Sequence, residues 1–253
     1  MKITLVSYIN TRPFMDGLSH FLSPEVAELE LLPPSDCAES LKNRKSDMAL
    51  IPVGALPDFE EIMLLPDYCI GTDGAVDSVF LFSRQPIESV NRVILDRHSR
   101  SSNGLAKILL KHYWEKNPEY HFPSEKHFDI IGGDTAGVVI GDKALKLKSH
   151  FEYVYDLGTY WKKMTTLPFT FAVWAYYKDA FTDEQISQIN QALEYGVKNR
   201  ANSALKWAES YGFTPANALI YLTQNIQFHF TDERKQAMEL YLSLLEKETS
   251  LSV

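Results

Sequence analysis

Cysteine is nearly missing from this chain of 253 residues. Cys37 and Cys69 are the only two, they lie far apart, and they form no CxxC pair. A paired-thiol metal or redox motif is therefore excluded, and both thiols read as reduced and structural rather than as one disulfide or a thiol nucleophile. The other usual catalytic signatures are absent as well: there is no GxGxxG, no HExxH and no GxSxG. "GGDTAGV" has glycines at phosphate-loop spacing but carries Val138 where lysine is required. The seven histidines show no ligand spacing, so a metal site is not expected. Positive charge is also scarce. A net charge of −8 and a pI near 5.4 argue against nucleic acid as the main partner. No apolar run approaches the ~20 residues of a membrane helix. The first strand begins at Lys2 and leaves no room for a leader before it, so a cytoplasmic location is expected, with no membrane partner.

What remains is an ordinary globular composition, 45% apolar and 23% charged. "KITLV" (2–6), "AELELL" (27–32) and "DMALIPV" (47–53) read as strands. The helices between them start at Pro13 and after Pro33–Pro34, the second with Ser35 or Asp36 as cap. Strand, helix, strand, helix, strand implies parallel pairing. The theme restarts with "DSVFLFS" (77–83), "RVILD" (92–96), a helix carrying Leu105, Ile108, Leu109 and His112, and "GVVIGD" (137–142). A long apolar strand, "FTFAVWAYY" (169–177), follows, and then only helices. Thr182 with Gln185 has capping-box spacing, Thr214–Pro215 starts the next helix, and Thr231 the last, whose face carries Leu240, Tyr241, Leu244 and Leu245. The expected fold is α/β and two-lobed, each lobe a mostly parallel sheet flanked by helices, with a helical C-terminal region. Lobe one would hold 1–82 plus 174–253 and lobe two 83–173, with a ligand cleft between them at strand C-terminal ends.

Two stretches stand out chemically. "VSYINTRPF" (6–14) places Tyr8, Asn10, Thr11 and Arg12 where the first strand ends. "LDRHSRSSNG" ends a strand and opens a helix with Ser101 and Ser102 in its first turn, beside Arg97 and Arg100. Free N–H groups and the positive dipole end there favour an anion, worth on the order of 1 kcal/mol. Each stretch also has a purely structural reading. Asn10 or Thr11 could cap the helix opened by Pro13, with Arg12 at the surface, and the serine loop could be a cap with a solvated basic loop. Ser78 is a polar residue inside an apolar strand, and its hydroxyl either bonds a neighbouring carbonyl or faces a ligand. Trp174 belongs to an aromatic run that reads as core or as ligand wall.

Taken in order, "VSYINTRPF", "DMALIPV", "GTDGAVDSVFLFSRQP", "SRSSNGLA", "VVIGDKAL" and "DLGTYWKKMTTLPFTFAVWA" resemble the chorismate dehydratases of the futalosine route to menaquinone. The resemblance runs from residue 1 to about 177. One departure is Thr166, at a position where that family usually has Gly before LPF. The resemblance implies a type II periplasmic-binding-protein-like fold. It also implies removal of water from chorismate to give 3-[(1-carboxyvinyl)oxy]benzoate, a hydro-lyase reaction without cofactor or metal. Asn10 and Ser78 are then the implied catalytic residues, with Tyr8, Arg12, Ser101, Ser102, Asp142 and Trp174 as substrate contacts. Chorismate carries two carboxylates, which calls for two anion sites. No general base stands out, and the substrate's own side-chain carboxylate could serve. The rival readings are a 1,4-dihydroxy-6-naphthoate synthase of the same pathway, against which "SYINTRPF" speaks, and a non-catalytic small-anion binding protein.

Overall fold

Five residues, KITLV, form strand β1 (Lys2–Val6) because four of them are fully buried on both faces of a sheet. The chain is described over residues 1–122 and 130–250 of a computed structural model. After β1 come α1 (Arg12–Phe21), β2 (Glu28–Leu32), α2 (Pro34–Lys42), β3 (Met48–Pro52) and β4 (Ile62–Thr72). Next are β5 (Val79–Ser83), β6 (Arg92–Ile94), α3 (Arg100–His112), β7 (Glu119–His121), β8 (Thr135–Ile140), α4 (Asp142–Leu147), β9 (Tyr153–Asp156) and α5 (Leu157–Thr165). The chain ends with β10 (Phe169–Tyr177), α6 (Asp183–Lys198), α7 (Arg200–Trp207), α8 (Pro215–Ile220), β11 (Gln227–His229) and α9 (Asp232–Ser250). No helix among the described residues is long and apolar enough to cross a membrane.

These elements group into two compact units, Met1–Gly71 with Thr170–Thr231, and Thr72–Phe169 with the segment from Asp232 onward. The sheet of unit one runs β11-β4-β10-β3-β1-β2, and that of unit two runs β7-β6-β8-β5-β9. In unit one β1 pairs in parallel with β2 and β3, and β10 joins β3 antiparallel. In unit two β6 pairs in parallel with β7 and β8, and β5 joins β8 and β9 antiparallel. The run β2-β1-β3-β10 of one sheet and the run β7-β6-β8-β5 of the other thus share one order and one set of strand directions, without any repeat in the sequence. Both are mixed, not mostly parallel as expected. The reason is that one strand, β10 in one and β5 in the other, enters each sheet against the direction of the β-α-β run.

Unit one is centred on Phe14, whose ring meets Trp174 at 5.6 Å, Phe228 at 5.4 Å and Tyr68 at 6.2 Å, all edge-on. Helices α1 and α6 touch backbone to backbone. A Cβ on Gly17 would overlap the Ala192 carbonyl oxygen, and one on Gly196 would overlap that of Pro13. Unit two packs Phe80, Phe82, Ile131, Val139 and Ala144 into one cluster. Both cysteines are free and buried, and burial pushes the Cys37 thiol up to about 12, as suits an inert structural residue.

The boundaries differ from those expected. Residues 72–82, 170–173 and helix α9 change sides. Helix α9 groups with unit two because Tyr241 is buried there, its ring 5.1 Å from that of Phe169 and its hydroxyl donating to the Ser101 carbonyl at 3.1 Å. Gly104 of α3 leaves the room for that ring. Leu240, expected on the buried face, is exposed. Four strands escape the sequence reading, the longest being β4. Its run IMLLPDYCIGT is broken by Pro66–Asp67, which hides the strand periodicity.

Candidate functional site

In unit one the C-terminal ends of β1 and β3 lie beside the N-terminal end of β10. Ala172 pairs with Pro52, and Thr4 with Ala49. Tyr8 and Asn10 stand at that edge, Tyr8 in extended backbone and Asn10 within a single 3-10 turn, Ile9–Thr11. Neither Asn10 nor Thr11 caps α1 with its side chain. The Thr11 hydroxyl instead donates to the carbonyls of Val6, at 2.5 Å, and Tyr8, at 3.0 Å, which locks the turn. Asn10 donates through Nδ2 to Tyr221 Oη at 3.4 Å, while its Oδ1 is buried with no hydrogen-bond donor. A buried amide oxygen without a donor costs on the order of 1–3 kcal/mol. Such a cost persists at positions where a ligand supplies the missing partner.

Arg12 and Trp174 are placed differently from their expected neighbours. The Arg12 guanidinium is 9% exposed, lies 4.2 Å from the centre of the Trp207 ring and 5.0 Å from that of Tyr211, and donates through Nε to Tyr211 Oη at 2.6 Å. It therefore ties α1 to the helical end of the unit and is not a surface residue. Trp174 sits in mid-strand opposite Leu50, fully buried under Phe14, with its Nε1 unpartnered. Thr170, four residues earlier on the same face of β10, is also buried with an unpartnered hydroxyl. It was not singled out in the sequence, where it reads as one more residue of an apolar strand.

Unit two gathers Ser78, Ser101, Ser102 and Asp142 at one sheet edge, formed by the C-terminal ends of β6 and β8 and the N-terminal end of β5. Ser78 precedes β5, is buried, and its carbonyl accepts from the Gly141 N–H at 2.9 Å. Asp142, next in line, opens α4 after Gly141, whose φ of 71° suits glycine. Ser101 and Ser102, each 2% exposed, lie in the first turn of α3. The cap itself is Ser99, whose Oγ accepts from the Ser102 N–H at 3.3 Å.

Two further residues hold this edge in shape. The buried Asn103 accepts through Oδ1 from the Asp96 N–H at 2.9 Å and donates through Nδ2 to the Asp96 carbonyl at 2.7 Å. Their separation of seven residues matches no local motif, so the sequence carried no signal for the pair. The turn before Ser78 is held by Asp156. Its carboxylate accepts from the N–H groups of Val76 at 3.2 Å, Asp77 at 2.8 Å and Thr159 at 2.8 Å, the last as the cap of α5. Burial raises the Asp156 pKa above the ordinary aspartate range even though those three donors oppose the shift. Asp77 completes the turn with left-handed backbone, φ 57°.

Two sheets of this topology, each with polar residues at the C-terminal ends of its parallel strands, define a periplasmic-binding-protein-like fold. A protein from Archaeoglobus fulgidus superposes with a TM-score of 0.78 at 13% identity, covering 98% of this chain and 97% of that one. A Candida albicans protein described as having the generic periplasmic binding protein fold gives a TM-score of 0.66 at 12% identity, with 98% and 93% covered. At the level of sequence, residues 1–247 match the family described as menaquinone biosynthesis, and the chain belongs to it. A chorismate dehydratase of Thermus thermophilus is 27% identical over 95% of this chain and 93% of its own length.

Proposed function

We propose that this protein is a chorismate dehydratase of menaquinone biosynthesis, a carbon–oxygen lyase acting in the cytoplasm. The observation that carries the reading is the match to the Thermus thermophilus enzyme, which spans nearly the whole of both chains. It is supported by membership of the menaquinone-biosynthesis family and by the buried, donorless oxygen of Asn10.

The chemistry asks for little beyond binding and orientation. Loss of the C3 proton and the C4 hydroxyl aromatises the ring, which drives the reaction forward. The proton is vinylogous to the ring carboxylate, so donors on that carboxylate stabilise the dienolate that forms. Ser101 and Ser102, with the α3 N–H groups, hold one carboxylate in this reading. Asn10 in unit one and Ser78 in unit two are the catalytic residues of this reading, with Tyr8 and Asp142 in support. The side-chain carboxylate of the substrate takes the proton, which accounts for the lack of an obvious protein base.

The test is incubation of the purified protein with chorismate, followed by mass analysis and absorbance. A product lighter by one water with benzoate absorbance is expected. Chorismate recovered unchanged but tightly bound would make the protein a binder and refute the dehydratase reading.

A further inference from the structure

Thr170 is 1% exposed, and its hydroxyl has no hydrogen-bond partner among the described residues. A buried threonine usually gives its hydroxyl to a nearby carbonyl, as Thr11 does with Val6 and Tyr8. Thr170 does not. It sits in an otherwise apolar strand, FTFAVWAYY, where valine would fill much the same space and leave no polar group unpaired.

The register of unit one shows where that hydroxyl stands. Thr4 pairs with Ala49 across β1 and β3, and Pro52 pairs with Ala172 across β3 and β10. Three residues on from Thr4, Ser7 is level with Pro52 and so with Ala172. Thr170 lies two residues further toward the same edge, level with the turn that holds Asn10. Two strand spacings, about 10 Å, separate β10 from β1. Thr170 also shares a face of β10 with Trp174, whose ring meets that of Phe14 on α1. Asn10 leads directly into α1, so the two residues occupy one edge and one face of the same sheet.

Their needs are complementary. Asn10 Nδ2 is committed to Tyr221, which fixes the amide, and Oδ1 is an acceptor that only a ligand donor can satisfy. With both carboxylates ionised, chorismate has a single O–H, the hydroxyl at C4. That group can donate to Asn10 Oδ1 and still accept through its own lone pairs.

We infer that Thr170 donates a hydrogen bond to the C4 hydroxyl oxygen of the substrate and stabilises that oxygen as it leaves. The inference deepens the dehydratase reading and rests on it. When the C4–O bond breaks, its electron pair stays on the oxygen, and the growing negative charge strengthens the contact. Thr170 keeps its proton throughout. The proton that completes the departing water is the one lost from C3, carried by the substrate's own carboxylate.

The experiment compares wild type, Thr170→Val and Thr170→Ser in chorismate kinetics, thermal melting and calorimetric binding of the product, which lacks the C4 hydroxyl. Thr170→Val should lower kcat by about 10–100-fold with KM within about threefold, because the lost contact is strongest in the transition state. Its melting temperature should hold or rise, since an unpaired buried hydroxyl is gone. Thr170→Ser keeps the donor and should keep kcat within about threefold of wild type. Product affinity should be the same in wild type and Thr170→Val. A normal kcat in Thr170→Val, or product affinity that falls along with kcat, would overturn the assignment, the second by showing that Thr170 only shapes the site. Wild type that leaves chorismate unchanged refutes the dehydratase reading and this inference with it, an outcome distinct from a defect confined to the variant.

Discussion

Asn10 reaches across 211 positions of sequence to donate to the hydroxyl of Tyr221 at 3.4 Å, and in doing so leaves its own Oδ1 buried without a donor. Tyr221 opens a π-helical turn, Tyr221–Asn225, an insertion found often beside functional residues. The pair reads as a side chain oriented by one partner and kept open for another.

This relationship separates stability from activity. Asn10→Ala removes a weak hydrogen bond together with an unsatisfied acceptor, so unfolding free energy should change by less than about 0.5 kcal/mol. Turnover of chorismate should fall by about 100-fold or more in kcat/KM. Tyr221→Phe should fall between that variant and wild type. Denaturant melts and steady-state assays check both quantities. A large stability loss with normal kcat/KM would make Asn10 a structural residue.

Thr166 ends α5 in left-handed backbone, φ 62° and ψ 0°, with its N–H donating to the Lys162 carbonyl at 2.8 Å. That conformation is costly for a β-branched residue and is the reason glycine suits the position. Thr166→Gly should stabilise the protein by about 1 kcal/mol, the relief of strain exceeding the added chain entropy. Thermal melting should rise by about 2–4 °C for a chain of this size. A fall in melting temperature would show that the Thr166 hydroxyl, which donates to the Thr165 carbonyl at 2.6 Å, outweighs the strain.

Asp156 makes a pH prediction. Its folded pKa is raised, chiefly by burial, so the folded protein holds its proton more tightly than the unfolded chain does. The group therefore adds stability at pH below the ordinary aspartate value. That contribution is lost as pH rises from there to the raised value, and the curve is flat beyond. Asp156→Asn cannot titrate. The stability of wild type minus that of the variant should decline over this interval and then level off. Urea midpoints taken at intervals between about pH 3 and 7 measure it. A difference that increases with pH would reverse the assigned direction.

Much of the architecture was legible because its causes are local. Apolar runs of the right length marked β1, β3, β5 and β10, and the order of strands and helices implied the parallel pairs that form. Thr182 with Gln185 forms its reciprocal capping box, and Thr214 accepts from the Asn217 N–H, because a cap depends on three or four consecutive residues. The start of α3 with Ser101 and Ser102 was legible for the same reason, whereas Ser78, expected in lobe one, falls in unit two.

Arg12, Asn10 and α9 were decided at another level. Nothing near Arg12 in sequence announces Trp207 and Tyr211, and nothing near Asn10 announces Tyr221. Helix α9 has an apolar face that could cover either sheet, and the shape of one partner surface, the gap over Gly104 that admits Tyr241, chose unit two. The sequence by itself determined where most of the helices and seven of the strands begin and which strands of the β-α-β runs pair in parallel, because backbone sterics and hydrogen bonding act over a few residues. Only the tertiary structure decided which polar groups find hydrogen-bond partners in the protein and which, like Asn10 Oδ1 and Thr170 Oγ1, do not, because satisfaction depends on partners that packing alone brings within 3 or 4 Å.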